Sequence, residues 1–174
     1  MRVQSELIVL IALITYFVAA AQKAGTEWKE YVFSADNFAV KAPYAPSPHP
    51  DIAFKDATAY TVNFPNTDDG VTLRVMHEPH DCSAYLGALK SGVQAGKQPG
   101  ADPSSLKDIS FDGHPGVQYE WRVNQSRIIQ ERYYCINNHF YAFFIDHPKN
   151  RPLSAQVTRL ISSLRLLANV SGQK

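Results

Sequence analysis

Polar and apolar positions alternate through most of the chain, and the exceptions are short. Trp28 to Phe33 is rich in aromatic and β-branched residues and predicts a strand. Ala35-Asp36-Asn37 predicts a turn, and Phe38 to Lys41 a second short strand stopped by Pro43. Pro43, Pro46, Pro48 and Pro50 follow closely; since proline cannot donate to a strand ladder, residues 42–51 are expected to form an extended surface loop. Ala57 to Phe64 alternates around Tyr60 and Val62, and Val71, Leu73 and Val75 alternate with polar neighbours, which predicts two strands joined by a turn at 66–70.

The period then changes. Leu86, Leu89 and Val93 recur at helical spacing, so Cys82 to Ala95 predicts an amphipathic helix capped by Asp81 or Ser83, with a loop from Gly96 to Pro103. Strands are expected at 106–111, 117–123, 128–136 and 139–145, with turns at 112–116, 124–126 and Asn137-Asn138. The last of these strands is apolar on both faces, the mark of a central strand covered on both sides. Val157, Leu160, Ile161 and Leu164 form the stripe of a final helix with Ser154 as its cap, and 168–174 read as a tail. The predicted class is α+β, a central antiparallel sheet of about six to eight strands with two main helices packed on it.

The first residues follow another pattern. Arg2, an apolar run from Leu7 to Val18, and Ala19-Ala20-Ala21 are the three parts of a secretory signal peptide. The run is shorter than the ~18 residues of a spanning helix. Cleavage is expected after Ala21, with Ala20 or Ala24 as neighbours and an uncleaved anchor as the alternative. The expected organisation is therefore a signal peptide at 1–21, one domain at 22–167 and a flexible tail, in a periplasmic or secreted protein without a membrane span after cleavage. The formal net charge is +1, and loss of Arg2 and Glu6 with the leader leaves it unchanged. A near-neutral chain without basic runs argues against nucleic-acid binding. In an oxidising compartment Cys82 and Cys135 predict one disulfide, and two buried thiols are the alternative.

Four segments resemble a known family when read in order. They are Asp36 to Pro43 (DNFAVKAP), Asp112 to Gly116 (DGHPG), Arg132 to Tyr141 (RYYCINNHFY) and Leu160 to Leu166 (LISSLRL). Over residues 28–167 the chain resembles the PsbP/Mog/DcrB-like α/β domain in an exported bacterial form. The resemblance implies an antiparallel sheet with helices on its faces and a non-catalytic role. Plant members of that family stabilise the oxygen-evolving side of photosystem II, and the Mog-type member binds a small GTPase. The chain lacks a photosystem-contact motif, and the family offers no catalytic set to carry over.

Candidate chemistry is sparse. His77-Glu78-Pro79-His80-Asp81-Cys82 is the densest set of potential ligands, and His, carboxylate and thiolate all suit zinc. Pro79 keeps His77 and His80 off a common face, no H-E-x-x-H helix exists, and a disulfide would remove Cys82. His49, His114, His139 and His147 are expected in solvated loops. No G-x-S-x-G marks a nucleophile elbow. Gly92, Gly96 and Gly100 do not follow a strand as a phosphate loop does. Asp68-Asp69 sits in a turn, and Arg132-Tyr133-Tyr134 fits a half-buried strand. Asn124-Gln125-Ser126 and Asn169-Val170-Ser171 fit the glycosylation sequon, which matters only in a eukaryotic secretory host. The expected function is that of a non-catalytic binding or accessory module, without a cofactor, whose partner is a protein of the cell envelope. The alternatives are a metal-dependent hydrolase using His77, His80 and Asp81, and a carrier of a small apolar ligand held between sheet and helix.

Overall fold

The computed structural model describes residues 27–51, 57–64, 67–76, 81–137 and 139–167. Ten strands and two α-helices follow in order: β1 (Lys29–Phe33), β2 (Phe38–Ala42), β3 (Ser47–Pro50), β4 (Ala57–Asn63), β5 (Gly70–Met76), α1 (Cys82–Gln94), β6 (Ala101–Phe111), β7 (His114–Arg122), β8 (Arg127–Ile136), β9 (His139–Pro148), α2 (Ala155–Ser162) and β10 (Arg165–Leu166). Seven strands form one antiparallel sheet in the order β3-β4-β5-β9-β8-β7-β6, and β1-β2-β10 form a small second sheet. The α+β class with two helices on a central antiparallel sheet is the predicted one. The strand apolar on both faces, β9, is the middle strand of the large sheet.

The helix ends follow their local chemistry. The Ala84 amide donates to Asp81 Oδ1 at 3.0 Å at the start of α1, and the Val157 amide donates to Ser154 Oγ at 3.3 Å at the start of α2. Gly96, at φ +65°, ends α1 by letting its own amide and that of Lys97 turn back onto the carbonyls of Val93 and Gly92.

Four local expectations are corrected. Residues 47–50 are not loop but the edge strand β3, paired with β4; an edge strand tolerates Pro48 and Pro50 because one side of its ladder is unused. The turn expected at 112–116 is only Asp112-Gly113, both at positive φ, so His114, Pro115 and Gly116 already belong to β7. β6 starts at Ala101 rather than 106, and its pairing with β7 slips between Asp102 and Lys107. His147 is buried inside β9 rather than solvated in a loop.

Alternation sends each strand's side chains to two faces with different covers. One face carries Tyr60, Val62, Leu73, Tyr141, Phe143 and Ile145, packed under Phe38 and Val40 of β2 and Val157 and Leu160 of α2. The buried Asp36 pins the two sheets there. Its carboxylate accepts from the Tyr60 hydroxyl, and its backbone carbonyl accepts from the Tyr141 hydroxyl at 2.9 Å. Burial, and then the Asp36 charge, pushes the Tyr141 hydroxyl up to about 12. The other face carries Val117, Tyr119, Tyr133, Phe140 and Ala142 under Leu86, Leu89 and Val93 of α1. Cys82 at the head of α1 is joined by a disulfide to Cys135 of β8, with Cα atoms 5.5 Å apart.

Candidate functional site

The α1 face is only partly roofed. The side chains of Trp121 (β7), Ile129 (β8), Phe144 (β9) and Thr72 and Arg74 (β5) are half-buried and line a cleft of about 450 Å³ beside the helix. β5 and β7 stand three strand spacings apart in the sheet order, so the cleft spans ~14 Å from one wall to the other.

Its floor is organised by a buried acid. Glu131 is 6% exposed, between Tyr119 on β7 and Phe144 on β9 in register. Its carboxylate accepts from the Tyr119 hydroxyl at 2.5 Å, from the Trp121 indole Nε1–H at 2.5 Å, and from the Tyr133 hydroxyl. Three donors on one carboxylate satisfy it without water, which is what burial of a charge demands. Burial raises the Tyr119 and Tyr133 hydroxyls well above the ordinary tyrosine range, and the Glu131 carboxylate adds to the rise. Both phenols therefore stay protonated and remain donors. The rings of Tyr119 and Tyr133 stack at 5.9 Å with an interplanar angle of 14°. Trp121 is thus fixed in orientation at its nitrogen while part of its ring stays open to solvent.

The opposite wall is a cation. The Arg74 guanidinium lies 4.0 Å above the Phe144 ring centroid, and its Nε contacts Asp51 Oδ2 at 2.5 Å. At the end of the cleft Arg127 donates from Nε to Asp146 Oδ1 at 2.9 Å. Trp121 also borders a second cleft of about 740 Å³, walled by Gly100 to Pro103 and by Arg122 and Lys149. Trp121 therefore lines both clefts.

The predicted site residues fall elsewhere. His77 and His80 lie outside the described residues. Cys82 is held in the disulfide, which removes its thiolate as a ligand. Among the described residues no three His, Cys, Asp or Glu side chains converge as metal ligands. His49 is exposed on β3, with Nε2 3.0 Å from Thr61 Oγ1; His114 and His139 are half-buried at strand starts. Ser91 and Gly92 are in α1. Asp68 pairs with Arg151, and Asp69 Oδ2 accepts from the Ser154 amide. Asn124 Oδ1 closes the β7–β8 turn by accepting from the Ser126 amide and hydroxyl; Asn169 lies outside the described residues. Tyr133 and Tyr134 part to opposite faces, each buried, so they form no shared surface. The space enclosed by Phe38, Tyr60, Phe143 and Leu160 between sheet and α2 is about 10 Å³.

The Glu131 cluster was missed. Its signal is present: on β8 the period-two positions Ile129, Glu131, Tyr133 place an acid inside an apolar row, opposite Tyr119 and Trp121 of β7.

No protein-family model and no curated protein matches the chain. Its fold is similar to the solution structure of cyanobacterial PsbP (CyanoP) from Synechocystis sp. PCC 6803, with a TM-score of 0.53 over 80% of this chain and 92% of that one, at 12% identity. The chain has a PsbP-like fold. At that identity the likeness carries no residue roles.

Proposed function

We propose that the protein is an exported, non-catalytic binding module that grips a protein of the cell envelope through the clefts on either side of Trp121. The observation that carries this reading is the Trp121 indole, locked to Glu131 at its nitrogen and open along its ring. Trp and Arg are the residues most enriched at interface hot spots, and a side chain already held in place loses little entropy on binding. The Arg74–Phe144 stack supplies a second anchor across the cleft. Export is supported by the leader pattern at residues 1–21 and by the Cys82–Cys135 disulfide, since such bonds persist in oxidising compartments.

The test is affinity capture from an envelope extract, with the disulfide-bonded protein immobilised as wild type, as Trp121→Ala and as Val32→Ala. Val32 is exposed on β1, away from the clefts. A partner retained by wild type and Val32→Ala but lost from Trp121→Ala is the expected result. Equal recovery on Trp121→Ala rules the reading out.

A further inference from the structure

The second cleft has a charge pattern the first lacks. In the first, Arg74 and Arg127 face Asp51 and Asp146 at contact distance. In the second, Arg122 and Lys149 are exposed, and among the described residues neither has a carboxylate within ion-pair distance. The acids that line the same cleft, Asp102 and Glu120, are engaged otherwise. Asp102 Oδ1 accepts from the Ser104 amide at 2.9 Å and the Ser104 hydroxyl at 2.6 Å. The Glu120 carboxylate accepts from Gln130 Nε2 at 3.3 Å. The Ser104 bonds, first, and the fields of Arg122 and Lys149, to a lesser degree, hold the Asp102 carboxyl below the usual range, so both cations act on the same space.

The wall is built rather than loose. Where β6 slips against β7, the Glu120 amide donates to Ser105 Oγ at 2.8 Å, and the Ser105 hydroxyl donates to the Asp102 carbonyl at 2.6 Å. A serine side chain thus replaces a lost ladder bond and holds the bulge. Gly100, at φ +80°, turns the chain into it, and its carbonyl accepts from the Arg122 amide at 3.1 Å. Bulges that re-aim an edge strand recur beside binding sites.

We infer that this cleft takes an acidic, apolar segment of the protein partner: a carboxylate between Arg122 and Lys149, with the neighbouring apolar side chain on the Trp121 ring. The inference rests on the reading that the chain binds protein at Trp121, and it adds the chemistry of what is bound. Two cations without contact partners complement a carboxylate, and charge complementarity selects the partner more than it adds to total affinity.

The experiment is fluorescence anisotropy with a dye-labelled six-residue peptide alternating leucine and glutamate, compared with one alternating leucine and glutamine, on the purified disulfide-bonded protein. The glutamate peptide is expected to bind about tenfold tighter at low salt, and the difference to shrink as salt screens the charges. The double variant Arg122→Gln, Lys149→Gln is expected to abolish the preference with an unchanged unfolding midpoint. Equal binding of the two peptides, binding of neither, or a preference that survives in the double variant overturns the inference. Partner capture separates this failure from that of the parent reading. If the double variant still captures the partner and Trp121→Ala does not, the binding reading stands and the acidic segment falls. If Trp121→Ala still captures it, the parent reading falls.

Discussion

The two faces of the seven-stranded sheet are built from alternate residues of the same strands, yet they end differently. On one, Phe143 is 1% exposed beneath α2 and the small sheet. On the other, its neighbour Phe144 is half-buried at the edge of a cleft, with the Arg74 guanidinium above its ring. Each face also holds a buried carboxylate that accepts from tyrosine hydroxyls. Asp36 joins two layers, and Glu131 orients an indole within one layer. A buried polar group here does two jobs. Where the cover is complete it locks packing, and where the cover is partial it holds a surface side chain in place.

Truncating the two phenylalanines separately should give unequal losses. Phe143→Ala removes a fully packed ring and is expected to destabilise the protein by ~3–5 kcal/mol, because the sheet on one side and Phe38 and Leu160 on the other leave little room for collapse. Phe144→Ala is expected to cost ~1–2 kcal/mol, from partial burial and loss of the Arg74 contact. Urea unfolding of both variants reads the ratio. Equal losses would mean that the α1 face is as closed as the other.

The next effect tests what holds α1 on its half of that face. Cys82 and Cys135 are 53 positions apart and join the first residue of α1 to β8. The Cys82→Ala, Cys135→Ala double variant is expected to lose ~2–4 kcal/mol, mainly through the longer reach of its unfolded chain. Leu86, Leu89 and Val93 keep the helix docked in the folded state, so the circular dichroism of the folded variant should match wild type. A loss of helical signal before unfolding would show that the disulfide, and not the leucine stripe, seats the helix.

Most of the fold was legible in the sequence, and the reasons for the misses are local. Both helices, their caps and the doubly apolar β9 follow from periods of 3.6 and 2 and from Asp81 and Ser154. β3 was hidden because proline is read as a breaker, although it only forbids the inner side of a ladder. β10 is two residues long, below any period, and is defined by its pairing with Phe38 and Ala39. The histidine-rich run at 77–82 drew attention because ligand types cluster in sequence there. The Glu131 site draws its parts from β7 and β8 and adjoins Arg74 and Phe144 on β5 and β9, so only register brings them together.

Alkaline titration separates the tyrosines of the two faces from solvent ones. Unfolded tyrosine ionises near pH 10. In the folded protein burial raises Tyr60, Tyr119 and Tyr133 above that range, and Tyr141 to about 12. Above pH 10 the unfolded chain therefore holds fewer protons than the native one, so stability present below pH 10 is lost as pH rises. Tyr133 alone contributes about 1.4 kcal/mol for each pH unit in that window. Tyr133→Phe should flatten the fall. Phenolate absorbance that rises smoothly with pH, with no step at unfolding, would show these hydroxyls to be accessible.

The smallest effect concerns Gly87, which shares the groove between α1 and β7 with Gly116, and alanine is expected to act with opposite signs at the two positions. A Cβ at Gly116 would meet the Tyr133 carbonyl oxygen at 2.5 Å and the Tyr134 ring at 2.6 Å, so Gly116→Ala must push β7 and β8 apart and destabilise the sheet. Gly87 sits in mid-helix on the exposed side of α1, and a Cβ there meets nothing within 4 Å. A glycine in a helix interior costs ~0.5–1 kcal/mol relative to alanine, so Gly87→Ala is expected to stabilise by that amount. Chemical denaturation resolves the gain if the slope with denaturant is unchanged. A destabilised Gly87→Ala would mean that the outer surface of α1 is not free in the folded chain, and that the helix, like the opposite face of the sheet, is covered.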